Sequence, residues 1–347
     1  MGSSFVWAVV LVVCAAATAA EADTRSKSPV GVCFPLKGTN LPPADRTAEL
    51  LHKYKIPRTM VFAFNNSVMR SLRTLKPETS VTVMFPNEHL KSQDSVVRWW
   101  LSNYVDPYLN EVDINYIVVG DKAIQDNSAD VLRVMKAVRR VLDKKFLGRV
   151  KVTTLFDYDK TMNTPYPPSR ATFIQKANND ISDILRFLRN QGAPLMVSVY
   201  PYLGYVHNSL SMHLDFALFK SKKPVLTDTF NVKYYNLLDA MVDAFYRAME
   251  RVGVSKVPIV IGEIGWPTAG GEHNVTTTQN AAIFNQNLLK HLGVRKGTPK
   301  KPQFAIEAYI RSLYDEKDKS IHRSYQSFGI FEANGNPKYP LFKKSSN

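Results

Sequence analysis

Cysteine is nearly absent from this chain. Of 347 residues, two are cysteine, Cys14 and Cys33. Cys14 falls in an N-terminal stretch that reads as a removable leader, which leaves Cys33 alone and excludes an intrachain disulfide. Cys33 sits in the strand-like run VGVCF (30–34) and is expected to be a buried small hydrophobe rather than a nucleophile. Long apolar runs are scarce too. Residues 5–19 (FVWAVVLVVCAAATA) form one block, with no Lys or Arg before it, and it is shorter than the ~20 residues that span a bilayer. Ala20 and Ala22 suit a cleavage site. The expectation is a cleaved signal peptide over 1–22 and a mature chain over 23–347, secreted to the extracellular space or cell wall, with no membrane association after cleavage. Two sequons, Asn65-Asn66-Ser67 and Asn274-Val275-Thr276, fit an exported chain. Acidic residues are in deficit: 30 Asp and Glu against 45 Lys and Arg, a net charge of +15. That balance favours polyanionic partners. No dense Arg/Lys stripe with interleaved aromatics is present, which argues against nucleic acid. Acidic polysaccharide or another anionic surface fits better.

What is abundant points to an ordinary globular chain. It is 45% hydrophobic, 22% charged and 11% aromatic, enough to build one large core. Short β-branched runs recur at 30–34, 59–64, 80–85, 115–120, 150–156, 195–200, 257–262 and 303–309. Helical patterns lie between them at 43–54, 128–145, 177–190 and 235–252, the second with Ser128 as its expected N-cap. Parallel strands need crossovers. Eight such units predict a single-domain α/β fold, the closed (β/α)8 TIM barrel, with a doubly wound open sheet as the alternative.

In a barrel of this kind, functional side chains lie at the C-terminal ends of strands. The fourth strand ends in Gly120-Asp121-Lys122, the sixth in Tyr200-Pro201-Tyr202, and the seventh in Gly262-Glu263-Ile264-Gly265-Trp266-Pro267. The eighth carries Glu307, followed by Tyr309, Asp315 and Glu316. Carboxylates beside aromatic faces suit a saccharide, whose rings present C–H faces and hydroxyl edges. Each strand-end carboxylate could equally form a structural ion pair.

The segments VIGEIGWPTAGG (260–271), YPYLGY (200–205), NLLDAMVDAFYRAME (236–250), GTPKKP (297–302) and AIEAYIRSLYDE (305–316) closely resemble glycoside hydrolase family 17, the plant endo-1,3-β-glucanases and their relatives. The similarity runs from about Val30 to Leu341. It implies a (β/α)8 barrel, a retaining mechanism, a cleft for β-1,3-linked glucan, and no metal or organic cofactor; a monomer is the default. On the matching positions it implies Glu263 as nucleophile, Trp266 and Pro267 as the rest of that motif, and Tyr200 and Tyr202 as cleft-lining aromatics. Glu307 and Glu316 would tune charge near the nucleophile.

This sequence also departs from the family pattern. The fourth strand of the family ends Val-Gly-Asn-Glu, with that Glu as general acid; here the run is Val119-Gly120-Asp121-Lys122, which puts Lys122 at the acid position. The second strand reads Met60-Val61-Phe62-Ala63 where the family has Arg-x-Tyr-Asp. The first ends Cys33-Phe34-Pro35 where it has Cys-Tyr-Gly. Phe34 and Phe62 are therefore expected beside the sugar in place of polar groups. Retaining glycosidases need two carboxyl groups, and a lysine facing Glu263 would hold its proton and occupy the nucleophile. Two readings follow: a glucan-binding relative with cleavage weakened or lost, or an active hydrolase in which Asp121, re-aimed by a bulge, or Glu88 replaces the acid.

Overall fold

The structure, a computed structural model, describes residues 28–35, 38–62, 66–75, 78–175, 178–318 and 322–344. The expected leader, Asn65 and Ala63 lie outside these residues. Eight strands form the barrel: β1 Val30–Phe34, β2 Arg58–Val61, β3 Ser80–Phe85, β4 Asp113–Asp121, β5 Lys151–Asp157, β6 Leu195–Ser198, β7 Ile259–Ile264 and β8 Glu307–Ile310. Every neighbouring pair is parallel, and β1 closes the circle against β8. The chain therefore forms the closed (β/α)8 barrel, not an open sheet.

One principal helix follows each of the first seven strands among the described residues, with short helical turns in the longer connections. The principal helices are α1 Ala44–Lys53, α2 Asn66–Leu72, α3 Asp94–Trp100, α4 Ile124–Lys144, α5 Asn178–Asn190, α6 Leu237–Arg251 and α7 Thr278–Gly293. Their starts follow local chemistry. The Asn236 side chain accepts from the Asp239 amide at 2.9 Å and caps α6, and Thr277 caps α7 through the Asn280 amide at 3.1 Å. Ser128 is not a cap. Helix α4 begins four residues earlier, at Ile124, and kinks at Asn127 (φ −138°, ψ 29°). The Ser128 hydroxyl instead donates to Asp180 at 2.5 Å, tying α4 to α5.

Strand alternation sorts the side chains into two apolar bodies. Val30, Val32 and Phe34 of β1 join the large layer shared with the helices. One residue from each strand fills the barrel interior: Cys33, Met60, Met84, Val118, Leu155, Met196, Val260 and Tyr309. Burial, with the Glu263 charge nearby, pushes the Cys33 thiol well above its ordinary value, so it packs as an inert hydrophobe. The barrel is thus plugged, and its chemistry is confined to its two mouths.

Candidate active site

Two one-residue bulges set the geometry of the C-terminal mouth. In β4, Val118 pairs with Thr153 and Asp121 with Leu155, so β4 carries one extra residue. In β7, Ile261 pairs with Val197 and Glu263 with Ser198, the same excess. Each bulge breaks the alternation just before a charged side chain. A glycine sits in both. Gly120 has φ +83°, and a Cβ there would come within 2.6 Å of Val131 on α4. A Cβ on Gly262 would meet Leu155 in the barrel interior at 2.6 Å. Glycine therefore permits both the turn and the close packing.

The bulges bring Lys122 and Glu263 together. Lys122 adopts φ +54°, uncommon for a side chain with a Cβ. Its amide donates to Leu155 O at 3.0 Å, and its amine donates to Glu263 Oε2 at 2.6 Å. The same oxygen accepts from the Tyr200 hydroxyl at 2.6 Å and from Ser198 at 3.3 Å. The Arg311 guanidinium stands 3.7 Å from it. Glu263 is 1% exposed and Lys122 22%. Burial works against the Glu263 charge, but Lys122 and Arg311 outweigh it and hold the carboxyl below the ordinary glutamate value. Burial likewise opposes the Lys122 charge; Glu263 and Asp121 prevail and raise the amine above ordinary lysine. Burial and Glu263 raise the Tyr200 phenol well above its usual value, so it stays protonated and donates.

Arg311, Ser198 and Tyr325 complete the site and were not singled out from sequence. Arg311 follows the last residue of β8 and bonds Glu316 at 2.9 Å, which places Glu316 one step behind Glu263. Burial pushes the Glu316 carboxyl up against the pull of Arg311. Tyr325 is partly exposed, stacks on Phe328 at 5.9 Å and lies under the Arg311 guanidinium at 5.8 Å. It offers the aromatic face that the sequence reading sought elsewhere. Ser198 ends β6 and Arg311 lies one step past β8, so the rule that found Lys122 reaches both once strand ends are known.

Several expected site residues stand elsewhere. Phe34 is 2% exposed and packs in the helix-side layer, because Cys33 takes the inward position. Tyr202 and Trp266 are 2% and 0% exposed. Their rings pack edge to face at 5.4 Å, Tyr202 donating to Glu272 and Trp266 to Val275 O. They buttress the wall and present no face to a ligand. Glu307 belongs to the opposite mouth: it pairs with Arg58 at the start of β2 at 3.2 Å and accepts from Tyr116. Phe62 is partly buried against the interior cluster, at the C-terminal end of β2. The bulge in β4 aims Lys122, not Asp121, at Glu263. The Asp121 backbone is clamped by the Asn87 side chain, its amide donating at 2.9 Å and its carbonyl accepting at 2.8 Å. Glu88 is exposed in the turn Asn87–His89. A cavity of about 1180 Å³ opens at the same mouth, between Thr39, Gly270, Lys317 and Arg323; Glu263 is not in its wall.

Comparison with known proteins decides the family. Residues 30–342 match the model of the glycosyl hydrolases family 17. The chain belongs to glycoside hydrolase family 17. It is 35% identical over 325 residues to a probable glucan endo-1,3-beta-glucosidase of Arabidopsis thaliana, covering 92% of each chain. It is 33% identical to a glucan endo-1,3-beta-glucosidase of Vitis vinifera, covering 90% of this chain and 91% of that one. Among solved structures, the family 17 barrel superposes on CJP38, a beta-1,3-glucanase and allergen of Cryptomeria japonica pollen. The TM-score is 0.83 at 34% identity, over 90% of this chain and 98% of that one. This family 17 member thus carries its buried glutamate in direct contact with a lysine. Among its described residues no group of His, Cys, Asp or Glu could hold a metal ion, and no helix is long and apolar enough to cross a membrane.

Proposed function

We propose that this protein binds β-1,3-glucan at the C-terminal mouth of the barrel and cleaves it weakly or not at all. The observation that carries the reading is the 2.6 Å contact between the Lys122 amine and Glu263 Oε2. A retaining glycosidase uses one carboxylate to attack the anomeric carbon and a second, protonated carboxyl to protonate the departing oxygen. Lys122 occupies the sequence position of that second group. Held above ordinary lysine by Glu263, it keeps its proton at neutral pH and is a poor donor. Its absence as a carboxyl removes a contribution of typically 10²–10⁴-fold in rate, about 3–5 kcal/mol. The hydrogen bonds that Glu263 Oε2 accepts from Lys122, Tyr200 and Ser198 also stabilise the carboxylate charge, which lowers its nucleophilicity. Residues 1–22 act in this proposal as a cleaved leader that delivers the chain to the extracellular space or cell wall, where glucan is met.

The second reading is an active endo-1,3-β-glucosidase with Asp121 as acid. It draws on the names of the relatives and on the nearness of Asp121 to Lys122. One pair of measurements separates the two. Retention of the mature protein in a gel containing soluble β-1,3-glucan reports binding, and a reducing-end assay on the same glucan reports cleavage. Binding without new reducing ends is expected. Turnover that Glu263→Gln abolishes would establish the enzyme and refute the proposal.

A further inference from the structure

The strong positive charge has no outlet in the glucan cleft, where Lys122 and Arg311 are matched by Glu263 and Glu316. It has one on the loop between β6 and α6. This segment leaves β6 on the same end of the barrel as Glu263. Within it, Leu226–Thr227 and Lys233–Tyr234 pair as a short antiparallel hairpin. Leu226 packs against the core and Tyr234 is buried, so that face of the hairpin is turned inward. Alternation turns the other face outward. There Thr227 opposes Lys233, and the Val225 amide bonds Tyr234 O, which holds Val225 beside the end of the ladder. Val225 and Tyr235 are 43% and 44% exposed, and Phe230 at the tip is 96% exposed.

The tip is built rather than loose. Phe230 and Asn231 adopt φ +58° and +59°. Asp228 beneath them accepts from the Ser169 amide at 2.7 Å and the Thr229 amide at 2.8 Å, pinning the hairpin to the loop after β5. Asp228 is the one acid between Phe219 and Tyr235, and both its oxygens are engaged in this way. Lys220 pairs with Asp215. Lys222, Lys223 and Lys233 are exposed and have no ion pair among the described residues.

We infer that this outward face is a second carbohydrate site, for a carboxylate-bearing polysaccharide of the polyuronate class. Aromatic and aliphatic faces at Phe230, Tyr235 and Val225 meet sugar C–H surfaces, while Lys222, Lys223 and Lys233 meet the carboxylates. Along each arm the outward residues, Val225 and Thr227 on one and Lys233 and Tyr235 on the other, are two residues apart, roughly 6.5–7 Å in extended chain, which lets both kinds of contact fall along one sugar chain. A neutral glucan gives the lysines nothing to neutralise. No hairpin residue is among the hydrogen-bond or ion-pair partners of Lys122 and Glu263 described above, and the inference does not rest on glucan binding.

Retention on immobilised polygalacturonate tests the inference, with immobilised neutral β-1,3-glucan run in parallel. The wild-type chain should be retained at low ionic strength and released by salt. The triple variant Lys222→Glu, Lys223→Glu, Lys233→Glu should lose roughly tenfold or more in affinity. A control triple of equal charge on the outer helices, Lys53→Glu, Lys136→Glu, Lys290→Glu, should lose less than about twofold. Tyr235→Ala, which leaves the charge intact, should weaken binding by about three- to tenfold. Equal losses in the two triples would reduce the effect to whole-protein charge and overturn the inference. Undiminished retention of the hairpin triple would overturn it too. So would hairpin-dependent binding to phosphatidylserine vesicles without binding to polygalacturonate, which would make the face a membrane contact. Retention of the hairpin variants on the neutral glucan column reads the cleft independently.

Discussion

Replacing Lys122 by methionine removes the charge and keeps most of the chain length. It leaves Glu263 buried, with Tyr200, Ser198 and the more distant Arg311 as partners. Removing one member of a buried pair costs about 3–5 kcal/mol. Two features reduce this. Lys122 is 22% exposed, so solvent screens part of the interaction, and three partners of Glu263 remain. The expected loss at pH 7 is about 1–3 kcal/mol, a fall in melting temperature of roughly 1–4 °C for a chain of this length. The pH dependence separates an electrostatic cause from lost packing. The depressed folded-state pKa of Glu263 contributes stability above the unfolded value of ~4.3, and that stability is lost as pH falls through the folded value. The raised pKa of Lys122 contributes stability below ~10.4, lost as pH rises through its folded value. The pair therefore stabilises most between about pH 5 and 10, and the gap between wild type and Lys122→Met should close at acid pH, once Glu263 is protonated. Circular-dichroism melts from pH 3 to 10 read both. A gap that stays constant down to pH 3 would refute the electrostatic reasoning.

Two further outcomes follow from the same geometry. A dinitrophenyl β-glucoside extended by one β-1,3-linked glucose has a leaving group that needs no proton, so it isolates the nucleophile. Lys122→Ala should cleave it at least about tenfold faster than wild type, with azide increasing the rate further, because Glu263 Oε2 loses its one charged hydrogen-bond donor while Tyr200 and Ser198 remain. Equal initial rates would show that the amine does not impede attack. Gly120→Ala forces a Cβ to 2.6 Å from Val131 at φ +83°, and should cost about 2–4 kcal/mol in urea unfolding. A loss under 0.5 kcal/mol, on the order of an ordinary surface change, would mean that β4 can turn without glycine.

The barrel was legible because strands buried on both faces leave continuous apolar runs, each followed by a helical pattern. Boundaries were less so. Asn127 kinks α4 while the chain stays hydrogen-bonded, so a cap-like Ser128 lay inside the helix. The Lys122–Glu263 pair was legible because both residues close strands, and the rule placing function at those ends needs no coordinates. What the pattern hid was direction. One extra residue in β4 and one in β7 reverse the facing of everything after them. No local signal in Gly120 or Gly262 distinguishes a bulge from a turn. The same ambiguity misplaced Phe34, whose neighbour Cys33 holds the inward position. It misplaced Tyr202 and Trp266, aromatic and near strand ends but folded back into the wall. Glu307 misled for a different reason. Strand β8 has four residues, so its first carboxylate lies at one mouth of the barrel while Arg311, just past its end, lies at the other.

The reducing-end rate of Lys122→Glu beside wild type on soluble β-1,3-glucan asks directly whether a missing proton donor limits this protein. The account predicts little or no wild-type turnover and a gain of about 10²-fold or more on restoring the carboxyl. Wild-type turnover that depends on Glu263 and is unchanged or reduced in Lys122→Glu would contradict it.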